Sequence, residues 1–213
     1  MKRYLSLVAA IAAATPAAAQ EFPGFRIEAN IGWDHVNATL DYEDSDFPED
    51  NFRESGNTDG MLLGGTIGYD LPVGPVYLGI EGSFDIPINK RCETLYGYDE
   101  ACFKPHANLA VGGRIGVPLS KRALLYAGAA YVTGKAEVTY EDEIDPSYDF
   151  SYDDWRDGMR FSGGAEARLI DNWFTKVEYR YTDYDDYKYA FDSERVSLGF
   201  ERHQIVTGIG VRY

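Results

Sequence analysis

Beyond its N-terminal twenty or so residues the chain has no long apolar run, and its mean hydropathy is −0.35. A membrane protein built of transmembrane helices is thereby excluded. A basic surplus is also missing: 20 Lys and Arg stand against 35 Asp and Glu, a formal net charge of −15. Binding a phosphate backbone needs basic patches, so nucleic acid is excluded as a partner. Histidine is sparse. His35, His106 and His203 are scattered, and neither H-E-x-x-H nor G-x-S-x-G occurs, which removes the usual footing for zinc and serine hydrolases. Asp85 with His106 is the nearest approach to an acid–base pair, and a lone pair of this kind is more often a structural hydrogen bond. The chain is read as a non-enzyme, and no cofactor is implied.

What the chain does have begins at its N-terminus. Lys2 and Arg3 precede a short apolar stretch, then Thr15, Pro16 and the small residues Ala17, Ala18 and Ala19. A basic start, a short apolar core and an A-x-A site describe a secretory signal peptide. Residues 1–19 are expected to be removed, with cleavage after Gln20 as the near alternative, leaving 20–213 as one domain. The net charge then shifts from −15 to −17 as Lys2 and Arg3 are lost.

The mature chain alternates with a period of two. Ile27, Ala29, Ile31 and Trp33 are apolar between Glu28, Asn30, Gly32 and Asp34, which is strand patterning. The same holds for Met61, Leu63, Ile67 and Tyr69, for Leu78, Ile80 and Phe84, and for Leu109, Val111, Ile115 and Val117. It recurs at Met159, Phe161, Ala165 and Ala167, at Thr175, Val177, Tyr179 and Tyr181, and at Ile205, Ile209, Val211 and Tyr213. Residues 124–135 are small or apolar in both phases, which leaves the faces of that strand open. About eight strands result, joined alternately by tight turns and by long connections over roughly 41–60, 87–105, 137–157 and 183–202. Short turns on one rim and long loops on the other are the layout of an outer-membrane barrel.

Alternation alone does not say which face meets lipid. Glycine decides it. Gly32, Gly64, Gly68, Gly79, Gly112, Gly116, Gly164, Gly208 and Gly210 share the phase of the charged residues. A solvated face gains nothing from repeated glycine, which weakens strands, whereas a narrow lumen needs small residues beside long Arg and Glu side chains. The charged phase is therefore expected inside, and Trp33, Tyr69, Phe84, Tyr179, Tyr181 and Tyr213 form interfacial girdles outside.

Two stretches carry a specific resemblance: residues 164–184, GAEARLIDNWFTKVEYRYTDY, and the ending GIGVRY at 208–213. They resemble the opacity-porin and OmpA-like outer-membrane barrel family. The resemblance implies an all-β fold, an eight-stranded antiparallel up-and-down transmembrane barrel with short periplasmic turns and long external loops. It implies residence in the cell outer membrane and contact with its lipid and lipopolysaccharide. It also implies insertion by the barrel-assembly machinery, which reads a C-terminal aromatic, here Tyr213 where the family usually has Phe. No peptidoglycan-binding domain follows the barrel in this sequence, so that anchoring role is not carried over.

Several constellations remain. Cys92 and Cys102 lie in the second long connection, and two cysteines in an exported chain read as a disulfide. Closing so short a loop stabilises it by about 3 kcal/mol in the chain-entropy model. A metal reading could add His106 but lacks a fourth ligand. The long connections are acidic and bear interleaved tyrosines, among them Tyr96, Tyr98, Tyr140, Tyr148, Tyr152 and Tyr184. That composition reads as solvated surface suited to an external protein or glycan; weak capture of hard cations is the alternative. The expected lumen charges are Glu28, Asp34, Glu81, Arg114, Arg160, Glu166, Arg168, Lys176, Glu178, Arg180 and Arg212. Their signs are mixed, and buried charges persist only when paired, so a salt-bridge network filling the barrel is expected. A structural and cell-surface interaction role follows. A small porin-like diffusion channel is the rival, and a soluble ligand-binding barrel the lesser one.

Overall fold

Period-2 patterning makes strands, and strands with a long apolar face must either bury it or meet lipid. The computed structural model describes the backbone of residues 22–88, 91–95, 99–141, 150–191 and 194–213, and their side chains except at 50, 91–95, 99–105, 136–138, 140–141, 150–154 and 191. The leader and its cleavage site lie outside the described residues, as do the side chains of Cys92 and Cys102.

Among the described residues nine strands form: β1 (Gly24–Asp44), β2 (Phe52–Val73), β3 (Val76–Pro87), β4 (Arg91–Leu95), β5 (Asp99–Pro118), β6 (Ala123–Glu141), β7 (Phe150–Arg168), β8 (Trp173–Phe191) and β9 (Glu194–Arg212). Eight of them, all but β4, pair antiparallel in a closed ring, β1 with β9 and β3 with β5 completing the circuit. The short β4 only extends the β5 edge, in a register that sets Cys92 opposite Cys102. A closed ring leaves no strand edge to lipid, the condition for a sheet to cross a bilayer.

The tight turns close one end. Gly74, with φ of +62°, is the first central residue of the two-residue link between Val73 and Val76, a position where a hairpin turn with positive φ favours glycine. Gly24, with φ of +114°, lies where β1 begins beside the end of β9, and a Cβ there would sit 1.9 Å from the Tyr213 carbonyl oxygen. Phe25 and Tyr213 exchange backbone hydrogen bonds across this seam at 2.8 and 2.9 Å.

The other end departs from the sequence expectation. Much of 41–60, 87–105, 137–157 and 183–202, expected as loop, is strand. The β1–β2 ladder runs to Tyr42 opposite Phe52, β6–β7 to Tyr140 opposite Phe150, and β8–β9 to Phe191 opposite Glu194. Above the apolar band both faces of a hairpin are wet, so the alternation disappears while the backbone ladder persists.

The outward face is apolar. Phe25, Ile27, Ile31, Trp33, Leu63, Ile67, Leu78, Ile80, Val111, Ile115, Val177, Ile205 and Ile209 are all exposed, Ile80 and Val111 by more than 70%. A water-soluble protein does not expose so large a continuous apolar surface. Trp33, Tyr69, Phe84, Tyr179 and Tyr213 are exposed on this face too. On β6 the open assignment resolves: Leu124, Tyr126 and Val132 are buried, and Leu125 and Tyr131 face outward.

Candidate functional site: the charged lumen

Side chains of the even-numbered positions of β1, β2, β5, β6, β7, β8 and β9, and of the odd positions of β3, meet inside the ring. Layers follow one another from the short-turn end. Phe22, Tyr77 and Leu124 form an apolar floor, with Phe22 and Tyr77 edge-to-face at 5.8 Å. Phe174 is buried beneath the Arg212 guanidinium, 5.2 Å from its ring centre.

Above the floor the charges begin. Asp70 is the hub, accepting from three guanidinium groups: Arg114 at 2.6 Å, Arg212 at 2.6 Å and Arg26 at 3.2 Å. Glu166 receives Arg212 at 2.6 Å and Arg114 at 3.2 Å. Arg26 also pairs with Glu28 and Glu81. From Glu28 the chain of contacts passes to Lys176 at 2.5 Å, then to Glu178, which accepts from Arg180 and, at 2.6 Å, from the Tyr126 hydroxyl. Arg180 continues to Asp85 at 3.1 Å, and Asp85 also holds Arg160 at 3.2 Å. One connected set of ion pairs thus runs from Arg212 to Arg160. A separate pair, Asp34 with Arg202, lies nearer the long hairpins, where Gln204 donates to the same carboxylate at 3.1 Å. An outer layer of Ala110, Val132 and Tyr184 caps it, the Tyr184 hydroxyl donating to Asn108 at 3.1 Å.

Glycine makes room for these groups. A Cβ at Gly79 would lie 2.1 Å from an Asp70 carboxylate oxygen, one at Gly64 2.3 Å from Asp85, and one at Gly68 2.6 Å from the Arg26 guanidinium. The long side chains lie flat across glycine backbone on neighbouring strands.

Of the residues singled out in the sequence, Glu28, Asp34, Arg114, Arg160, Glu166, Lys176, Glu178, Arg180 and Arg212 are buried in the lumen, and Glu81 is half-buried there. Arg168 stands apart. It is half-buried at the short-turn rim, where it donates to the Asp171 carbonyl at 3.1 Å. Asp85, weighed as the partner of His106, is instead clasped by Arg160 and Arg180. Sequence reasoning passed over Arg26, Asp70 and Arg202 as members, although Arg26 shares strand parity with Glu28, Arg202 with Arg212, and Asp70 with the lumen-phase Gly64 and Gly68. Among the described residues, no group of three or more His, Cys, Asp and Glu is arranged to hold a metal ion.

The ring of eight antiparallel strands is matched by known proteins. The family model for the outer membrane protein beta-barrel domain matches residues 5–212. The chain belongs to this family. It is an outer-membrane barrel protein. A 22 kDa outer membrane protein of Rhizobium leguminosarum bv. viciae is 30% identical over 150 residues, 68% of this chain. That match spans 63% of the relative's length. Among solved structures, Neisserial surface protein A aligns with a TM-score of 0.52 at 12% identity, covering 89% of this chain and 97% of that one. The outer membrane protease OmpT of Escherichia coli aligns at 0.51 and 9% identity, with coverages of 89% and 97%. At such identities these two likenesses concern the fold alone, and the protease activity of OmpT is not carried to this outer-membrane barrel.

Proposed function

We propose that the protein is a non-conducting outer-membrane barrel with a structural and cell-surface interaction role and no catalytic activity. The observation that carries this reading is the connected set of ion pairs from Arg212 to Arg160 across the lumen. A solute crossing the barrel would have to part these pairs, and a buried charge stripped of its partner costs about 3–5 kcal/mol. An eight-stranded interior has room for side chains and little else. The long hairpins face the exterior in this reading and offer acidic, tyrosine-bearing surface to an external protein or glycan. Lipid and lipopolysaccharide cover the apolar band, and Tyr213 serves as the signal read by the barrel-assembly machinery.

A narrow diffusion channel is the second reading, favoured by one feature. Buried nitrogens of Arg114, Arg160 and Arg212 have no hydrogen-bond partner among the described residues, and groups of this kind are commonly satisfied by water. Swelling of liposomes carrying the purified protein separates the two. Rates equal to those of protein-free liposomes, for small sugars and for salts, are expected. Swelling that falls with solute size would replace the proposal with the channel.

A further inference from the structure

We infer that the edge of β8 at residues 185–190, which no described strand pairs on the side of β7, takes up an extended basic segment of an external protein as an added strand. The inference rests on the surface-interaction reading above and names its site.

The barrel wall splits toward the long hairpins. The β7–β8 ladder ends at Gly158 opposite Tyr184. Beyond it β7 continues to Phe150 paired with β6, and β8 continues to Phe191 paired with β9. On the opposite side the β2–β3 ladder ends at Leu62 and Pro87, with one further backbone hydrogen bond from Ile88 to the Met61 carbonyl before the chains part. Among the described residues, the outer part is therefore two separate sheets, β2-β1-β9-β8 and β4-β5-β6-β7, and β7 and β8 present edges to each other. The cause is local. Tyr184 turns into the lumen and is buried over Gly134, and a bulge between Tyr184 and Tyr187 follows at once. A bulge bends its strand and increases the twist, which carries β8 off the line of β7.

A sheet edge leaves backbone donors and acceptors unpaired, and an extended peptide can satisfy them. The charge of the edge selects the occupant. Asp183, Asp185, Asp186, Glu194 and Glu201 are exposed around it, against Lys188 and Arg195. The aromatic rings agree. Tyr187 and Tyr189 are exposed, and the Tyr187 ring already carries a guanidinium, that of Arg156 on β7, at 4.8 Å across the slot. Tyr187 shows that a ring on this edge can hold a guanidinium, and the exposed Tyr189 ring offers its face to a cation on an incoming strand. Little apolar anchoring is available, so main-chain pairing and charge must supply the affinity.

The test uses the purified full chain in detergent micelles with a labelled peptide of about ten residues alternating Lys and Val, read by fluorescence anisotropy and by amide hydrogen exchange. The expected result is saturable binding that slows exchange at residues 185–190. The same peptide N-methylated at alternate residues, which keeps its charge but cannot pair, should bind at least about tenfold more weakly. A Glu-Val peptide should not bind. In the protein, Asp185→Asn with Asp186→Asn should weaken binding several-fold while the unfolding midpoint is unchanged. Equal binding of the N-methylated peptide would mean that charge alone acts and would overturn the edge. Binding of the acidic peptide, or no binding of the basic one, would overturn the choice of partner. A concentration-dependent dimer of the protein alone, protected at the same amides, would give the edge to a second copy. Each of these failures leaves liposome swelling untouched, so loss of this inference is distinguishable from loss of the non-conducting reading.

Discussion

Asp70 is where the lumen network can be broken most cleanly. Its carboxylate is 1% exposed and accepts from Arg26, Arg114 and Arg212 on three different strands. Replacing it with alanine strands part of three buried cations. Arg114 and Arg212 retain Glu166, and Arg26 retains Glu28 and Glu81, so the loss is that of one broken buried pair and not three, about 3–5 kcal/mol. That corresponds to a shift in the folding equilibrium of roughly a thousandfold. Gly79→Ala attacks the same carboxylate from outside its own side chain, because the new Cβ would stand 2.1 Å from it; it should destabilise in the same direction. Leu109→Ala trims a lipid-facing side chain, where acyl chains fill the space it leaves, and should cost under about 1 kcal/mol. Reversible urea unfolding in micelles can be followed by the fluorescence of Trp33, Trp155 and Trp173, all on the exposed surface. Equal, small losses for Asp70→Ala and Leu109→Ala would refute the reasoning, since the lumen charges would then hold nothing together.

Three further outcomes are expected. In cells, Glu49→Cys and Asp186→Cys, made in a chain with Cys92 and Cys102 replaced by Ser, should react with an impermeant thiol reagent, and Gly74→Cys and Lys121→Cys should not; the reverse pattern would invert the topology. Non-reducing peptide mapping should find Cys92 joined to Cys102, whose backbone positions face each other in the β4–β5 register, and two free thiols in freshly isolated protein would contradict the bond. Tyr213→Phe should preserve the amount of folded protein in the outer membrane while Tyr213→Ala lowers it; equal yields would remove the assembly role from this residue.

The ring and its inside-out polarity were legible because lipid on one side and a narrow lumen on the other impose strict parity on every crossing strand. Parity was also enough to find Glu28, Glu166 and Glu178. It was under-used at the strand ends: Arg26 precedes Ile27, where the period-2 pattern was picked up, Asp70 closes the patterned part of β2, and Arg202 falls in a stretch read as loop, so all three were passed over. Parity failed on β6, where Ala127, Ala129 and Ala130 give the two faces the same character, and only the register against β5 and β7 settles them. The hairpins beyond the membrane could not be read at all by this signal, since water on both faces erases the period while leaving the ladder intact. The split of the wall at Gly158 and Tyr184 depends on a bulge, and no residue type announces one.

Single-channel recording of the wild-type protein in a planar bilayer tests the non-conducting lumen most directly, with the double variant Arg160→Ala, Arg180→Ala as a deliberately loosened companion. No steady open-channel current is expected from the wild type, and leak or flicker from the variant as Asp85 loses both of its cations. A stable, large wild-type conductance, with lumen substitutions altering ion selectivity but not stability, would contradict the closed barrel and make the protein a channel.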